Sequence, residues 1–324
     1  MKKENYTFIS SDDLGTKIHG VCWSADDDYA SFGGRPVALL QLVHGMIEYI
    51  ERYEEFAQYL VDRGFAVVGH DHIGHGHSVS ELSDKEWGIM HCSHPEEVKV
   101  EDILTNYKLA EHRYPGVPHF ILGHSMGSFM TRRFLSVKAD ELNGLKGAIL
   151  MGTGTTPDVA LHVARAVVRI VKRFHGRDYK SRFVTNFLFA GDYHKFNMDG
   201  SVPEDSWLST NVESVRKYYA DPMDTYLFSV NGYLGLIRAM YFDNQIRNIE
   251  KIRKDLPVLF VSGANDPVGS LGKGVKKAYE KFQKAGLKDV TMCLYEGDRH
   301  EILQEMDREK VFSDLYQWMI RQIG

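Results

Sequence analysis

Short apolar runs alternate along this chain with longer amphipathic segments, and the two periods predict different elements. Residues 37–43, 65–69, 119–122, 147–151, 257–262 and 290–295 are apolar runs bounded by glycine, proline or charged residues, which is the pattern of buried strands. Between them, apolar residues recur at helical spacing over about 49–63 (stopped by Gly64), 95–114, 128–138, 271–285 and 308–323. Strand-helix alternation of this kind predicts a mostly parallel sheet with helices on both faces. The opening differs: residues 6–10 and 17–23 flank the turn-forming Ser11-Asp12-Asp13-Leu14-Gly15, so an antiparallel hairpin is expected at the sheet edge, making eight strands in all.

After Gly152-Thr153-Gly154 the alternation stops for some ninety residues and gives way to helical and irregular segments rich in Phe, Tyr and Met. The chain therefore divides into a core of residues 1–153 and 246–324 and a helical cap of residues 154–245. An insertion at the strands' C-terminal ends roofs the place where open α/β sheets bind ligands. Within it, residues 159–173 read as a helix packed on the body, with a basic polar side suited to transient contact with a membrane surface. Phe183, Phe187, Leu188, Phe189, Phe196, Met198, Trp207, Leu208, Tyr226, Leu227 and Phe228 supply aromatic and aliphatic surface, either as the wall of an acyl channel or as the cap's own core.

Composition narrows the function classes. Of 324 residues 43% are hydrophobic, enough for a sizeable core, and the formal charge of -5 provides no general basic field for nucleic acid. The N-terminal lysines lead into polar residues rather than an apolar signal segment, and no run is long enough to span a bilayer, so a cytoplasmic protein is expected. Cys22, Cys92 and Cys293 are odd in number and widely spaced, which suits a reducing compartment and buried, small apolar roles.

The candidate chemistry begins at Gly123-His124-Ser125-Met126-Gly127. This G-x-S-x-G stands between a strand-like and a helix-like segment, the setting of a nucleophile elbow that lifts a serine hydroxyl above the end of a sheet. A serine needs a base and an orienting acid. In such elbows the acid and then the histidine follow the serine, on loops after late strands. Asp266, in Gly263-Ala264-Asn265-Asp266-Pro267, and His300, in Asp298-Arg299-His300-Glu301, occupy those loops. Asp298 is the competing acid and is expected to shape its loop; Asp243 and Asp255 fall at the wrong end of the strand. The backbone N–H of Met126 and that of Met46, in His44-Gly45-Met46-Ile47-Glu48, are the expected donors to an oxyanion. His70, His72, His75 and His77 invite a metal reading, but alternate positions of one loop converge poorly on a tetrahedral ion. They are expected to brace the loop, and no metal or cofactor is expected.

The ordered series His44-Gly45-Met46-Ile47-Glu48, Asp71-His72-Ile73-Gly74-His75-Gly76-His77-Ser78, Gly123 to Gly127, Ser262 to Pro267 and Arg299-His300-Glu301 resembles the motifs of monoacylglycerol lipases and lysophospholipase-like serine hydrolases of the α/β-hydrolase fold. The resemblance implies cleavage of carboxylic esters through an acyl-enzyme, on single-chain lipid esters such as monoacylglycerols or lysophospholipids. Its implied triad is Ser125, Asp266 and His300, with Met46 and Met126 at the oxyanion positions. Relatives often carry H-G-x-G-E-H in the early loop; here Ile47 and Tyr49 replace the second glycine and the histidine. Hydrolysis of an amide, a peptide N-terminus or a non-lipid ester is the alternative enzyme reading, and ligand binding without turnover the alternative of another class.

Overall fold

The computed structural model describes residues 1–83 and 85–324. Among these residues eight strands form one sheet: β1 (Lys2–Ile9), β2 (Lys17–Ser24), β3 (Ala38–Val43), β4 (Phe65–His70), β5 (His119–His124), β6 (Leu145–Met151), β7 (Val258–Gly263) and β8 (Val290–Tyr295). Their spatial order is β1-β2-β4-β3-β5-β6-β7-β8. The expected hairpin is there at the edge: β1 pairs antiparallel with β2, β2 antiparallel with β4, and all other neighbours are parallel.

Among the described residues ten α-helices accompany the sheet: α1 (Glu54–Val61), α2 (Pro95–Arg113), α3 (Met126–Val137), α4 (Asp158–His175), α5 (Arg182–Leu188), α6 (Val212–Ala220), α7 (Val230–Asp243), α8 (Ile246–Ile249), α9 (Lys273–Lys284) and α10 (Arg308–Arg321). Strand residues alternate between two apolar clusters, as side chains pointing to opposite faces must. Ile121, Ala148, Leu150, Val258 and Phe260 meet Ile103, Phe134 and Phe282 on the side of α2, α3 and α9. Phe120, Leu122, Ile149, Met151, Leu259 and Val261 meet Phe56, Leu60, Phe312 and Trp318 on the side of α1 and α10.

Two helices begin later than their apolar period suggests. The segment expected to be helical from residue 49 opens as a tight 3-10 turn, Ile50–Tyr53. There the Ile50 N–H is taken by the Asp71 carboxylate at 2.8 Å rather than by a helical carbonyl. The helix expected from residue 271 starts at Lys273, because Ser270, Leu271 and Gly272 all have left-handed φ (48°, 54° and 81°). A third difference concerns Cys293. Cys22 and Cys92 are buried, but Cys293 is only half-buried because β8 is the last strand of the sheet and its flank has no neighbour to cover it.

Helices α4 to α7 all lie between β6 and β7, where no strand forms among the described residues. Of these, α7 packs on α2 and α3 as well as on α4, which joins the helical segment to the sheet's own helix layer. No helix among the described residues is long and apolar enough to cross a membrane.

Candidate active site

Ser125 stands alone between the end of β5 and the start of α3, with φ 51° and ψ -121°, a conformation nearly reserved for glycine. The flanking glycines explain how the chain turns so sharply. A Cβ on Gly127 would collide with the backbone oxygens of Val43 and His44, and one on Gly123 with Thr131 and the Gly127 backbone. The strain is held by backbone bonds: the Ser125 N–H donates to Met151 O at 2.9 Å, and Ser128 donates its N–H and its hydroxyl to Ser125 O at 2.9 and 2.6 Å.

Asp266 follows β7 and His300 follows β8, so both loops open at the same sheet end as Ser125. The His300 imidazole donates from Nδ1 to Asp266 Oδ2 at 3.0 Å, which leaves Nε2 as the lone-pair nitrogen. Asp266 also accepts the Ser262 hydroxyl at 3.0 Å and the Val268 N–H at 2.8 Å. Burial alone would raise this carboxyl, but the adjacent His300 and these donors outweigh it and hold Asp266 below its ordinary range. Ser125, His300, Met46 and Met126 line one cavity of about 430 Å³. The turn carrying Met46 passes so close that a Cβ on Gly45 would lie 3.0 Å from Ser125 Cβ.

The rejected acids lie elsewhere. Asp243 faces Arg132 at 3.7 Å beneath α3 and α7, and Asp255 pairs with Arg253 at the surface. The Asp298 backbone oxygen accepts the Asn265 N–H, while burial together with Glu305 and Asp307 pushes its carboxyl up to about 7. In the histidine run, the His72 N–H donates to His44 Nε2 at 2.8 Å, and His75 Nδ1 lies 3.0 Å from Ile73 O. Among the described residues, the one group whose ligand atoms converge as a metal requires is His94, Glu96 and Glu97 at the start of α2, where Glu96 already faces His94 at 3.2 Å and Arg238 at 3.4 Å.

A buried charge network behind the serine went unread in the sequence. Glu48 accepts the His124 Nδ1–H at 2.8 Å, the Tyr53 hydroxyl at 3.1 Å, Arg52 at 3.1 Å and the Gly45 N–H. Arg52 makes a two-pronged pair with Glu301 at 2.6 and 2.9 Å and also meets Asp224 at 3.3 Å. Burial acts against ionisation of Glu48, yet His124 and Arg52 overcome it and lower that carboxyl; burial likewise disfavours charged His124, and Glu48 overcomes it and raises the imidazole. Glu48, two residues after Met46 in a loop between two apolar segments, was the available signal, since a buried carboxylate needs donors.

The helical segment contributes directly. Trp207 stacks on the His300 ring at 4.9 Å and 27°, and Tyr193 packs edge-on against Trp207 at 5.6 Å. The Glu301 N–H donates to Leu208 O at 2.7 Å, so the histidine loop is pinned to this segment by its backbone as well. Phe187, Leu188, Phe189, Trp207 and Leu208 line the cavity, with Ala160, Leu161 and Ala164 from α4 and Leu236, Ile237 and Met240 from α7. Tyr226 and Phe228 are instead buried against His75, and Phe183 faces outward.

A family model described as serine aminopeptidase, S33, matches residues 34–307. The monoglyceride lipase homolog of Monkeypox virus is 27% identical over 300 residues, spanning 89% of this chain and 91% of that protein. The monoacylglycerol lipase of Mycolicibacterium smegmatis is 26% identical over 313 residues, 95% of each chain. Among solved structures, a thermostable carboxyl esterase from Bacillus coagulans in complex with glycerol superposes with a TM-score of 0.86 at 24% identity, covering both chains fully. A soluble variant of the Saccharomyces cerevisiae monoglyceride lipase in complex with a substrate analog gives 0.74 at 19% identity, covering 98% of this chain and 94% of that one. These structural likenesses carry the α/β-hydrolase fold.

Proposed function

The chain belongs to the serine aminopeptidase S33 family, and from that premise we propose that it is a carboxylic ester hydrolase acting on monoacylglycerols and similar single-chain lipid esters, with Ser125, Asp266 and His300 as its triad. The observation carrying this reading is the meeting of Ser125 with the Asp266-oriented His300 in one largely apolar cavity. The ester's acyl chain lies along the wall built by α4 and α7. Ser125 Oγ attacks the carbonyl while His300 Nε2 accepts its proton, and the N–H groups of Met46 and Met126 bind the oxyanion. His300 then protonates the departing alcohol, and water returns the acyl group as a free acid.

The names of the lipase relatives support the substrate class, and so does the state of the carboxylates. A peptide N-terminus needs a free anionic partner. Of the carboxylates that line the cavity, Glu48 and Glu301 are committed to His124 and Arg52, and Asp192 faces Lys195 at 3.7 Å. Incubation with monoacylglycerols of graded chain length beside aminoacyl amides tests the choice: ester turnover lost in Ser125→Ala, with loss of fluorophosphonate labelling, is the expected result. Amide turnover exceeding ester turnover would refute it.

Contact with a lipid surface fits the outer face of α4. Val159 and Phe174 are 75% and 80% exposed, Ile170 59%, and Arg165, Arg169 and Arg173 lie on the same helix, whose other face lines the cavity. Co-flotation with anionic vesicles, weakened by Phe174→Ser, is the expected behaviour. The three free thiols suit the cytoplasm.

A further inference from the structure

Among the described residues, six that are not glycine have a left-handed φ, and Ile47 at 58° is the one β-branched side chain in that set. Met46 and Ile47 form the centre of the turn between Gly45 and Glu48. A positive φ at the second central position is a place for glycine, and branching at Cβ crowds the backbone there. Three contacts impose the conformation all the same. The Tyr218 hydroxyl donates to Ile47 O at 3.0 Å, the Glu48 carboxylate closes back on the Gly45 N–H, and the Tyr49 hydroxyl donates to Asp221 at 2.9 Å. The turn is clamped from α6 and from its own loop in a shape its side chain opposes.

Glycine would fit this backbone without strain, so the isoleucine acts through its side chain. Ile47 lines the cavity one residue from Met46 and packs against the apolar cluster that includes Met126 and Phe129. The inference rests on the hydrolase reading above, in which the Met46 N–H meets the scissile carbonyl oxygen and bulk at residue 47 lies beside the reacting ester. We propose that Ile47 is a specificity-determining residue that narrows the cavity at the scissile bond and selects esters of primary alcohols over esters of secondary alcohols. A secondary alcohol carries a branch on the carbon bonded to the ester oxygen, where a primary alcohol carries only hydrogen. The polar neighbours cannot withdraw to make room: Glu48 and Glu301 are held by Arg52, and Tyr218 by Ile47 itself and by the Arg52 guanidinium 4.8 Å from its ring.

Hydrolysis of n-propyl and isopropyl octanoate by the wild type, Ile47→Ala and Ile47→Gly tests this. The wild type should favour n-propyl at least tenfold beyond the ratio of alkaline hydrolysis, and both variants should lower that preference at least fivefold by raising kcat/KM for isopropyl. An unchanged ratio in both variants overturns the proposal. So does a change confined to Ile47→Gly, which would trace to the backbone rather than to bulk. Fluorophosphonate labelling of Ser125 in the same preparations reads the underlying assignment separately, and failure to label the wild type would refute that assignment and the proposal with it.

Discussion

The Trp207 indole lies on the His300 imidazole, ring centres 4.9 Å apart and planes inclined by 27°. One face of the imidazole is thereby covered and the ring is kept in the plane that its bond to Asp266 requires. An aromatic pair contributes about 1 kcal/mol beyond burial, so Trp207→Ala should lower kcat about fivefold, while Trp207→Phe keeps most of it. Steady-state kinetics on one soluble ester, with circular dichroism to confirm folding, checks this.

Asp266 is fixed by three donors, of which only His300 belongs to the proposed triad. Replacement by asparagine keeps the shape but presents an amide to Nδ1 and favours the wrong tautomer. Asp266→Asn should lower kcat by roughly 10⁴-fold with KM little changed, as for triads generally. A loss below tenfold would assign the orienting acid elsewhere.

Glu48→Ala removes the acceptor for His124, Arg52, Tyr53 and the Gly45 N–H together. Breaking a buried ion pair from one side costs about 3–5 kcal/mol, because the partner charge is left unpaired. Urea denaturation should show a loss of that order. Glu48→Gln, which still accepts hydrogen bonds, should lose less.

Asp224 is buried, and burial raises its carboxyl to about 8; Arg52 opposes the rise incompletely, because Glu301 and Glu48 share that guanidinium. An acid with a raised folded pKa holds its proton in the native state where the unfolded chain has released it. Stability therefore falls as pH rises from about 4, the unfolded value, towards 8. Asp224→Asn lacks this term. Its stability relative to wild type should climb through that window and level off above it, in melts taken at half-unit pH steps.

In the proposed triad, Ser125 holds a strained conformation, φ 51° and ψ -121°, for the sake of its hydroxyl. Ser125→Gly should therefore be more stable than Ser125→Ala, by about 1 kcal/mol in urea denaturation, since glycine takes φ 51° without a Cβ clash. Equal stability would mean that the strain released is no larger than the chain entropy that glycine adds to the unfolded state.

What the sequence determined by itself is what local physics encodes. Apolar runs of strand length, separated by helical periods, specified the eight strands and the helices of the sheet layers. The glycines of Gly123-His124-Ser125-Met126-Gly127 specified a turn that only they permit, and chain order pointed to Asp266 and His300. Tertiary structure decided the rest, because the remaining bonds join distant parts of the chain. Glu48 and His124 are 76 positions apart, and Arg52 and Glu301 are 249 apart. No periodicity marks such pairs; they exist because burying a charge is tolerable only beside a partner, and the fold chooses the partner. The same holds in the helical segment, where a list of aromatic residues could not separate Trp207, stacked on His300, from Phe228, buried against His75. It holds again at Ile47, a departure visible in the sequence whose left-handed backbone only the packed turn reveals.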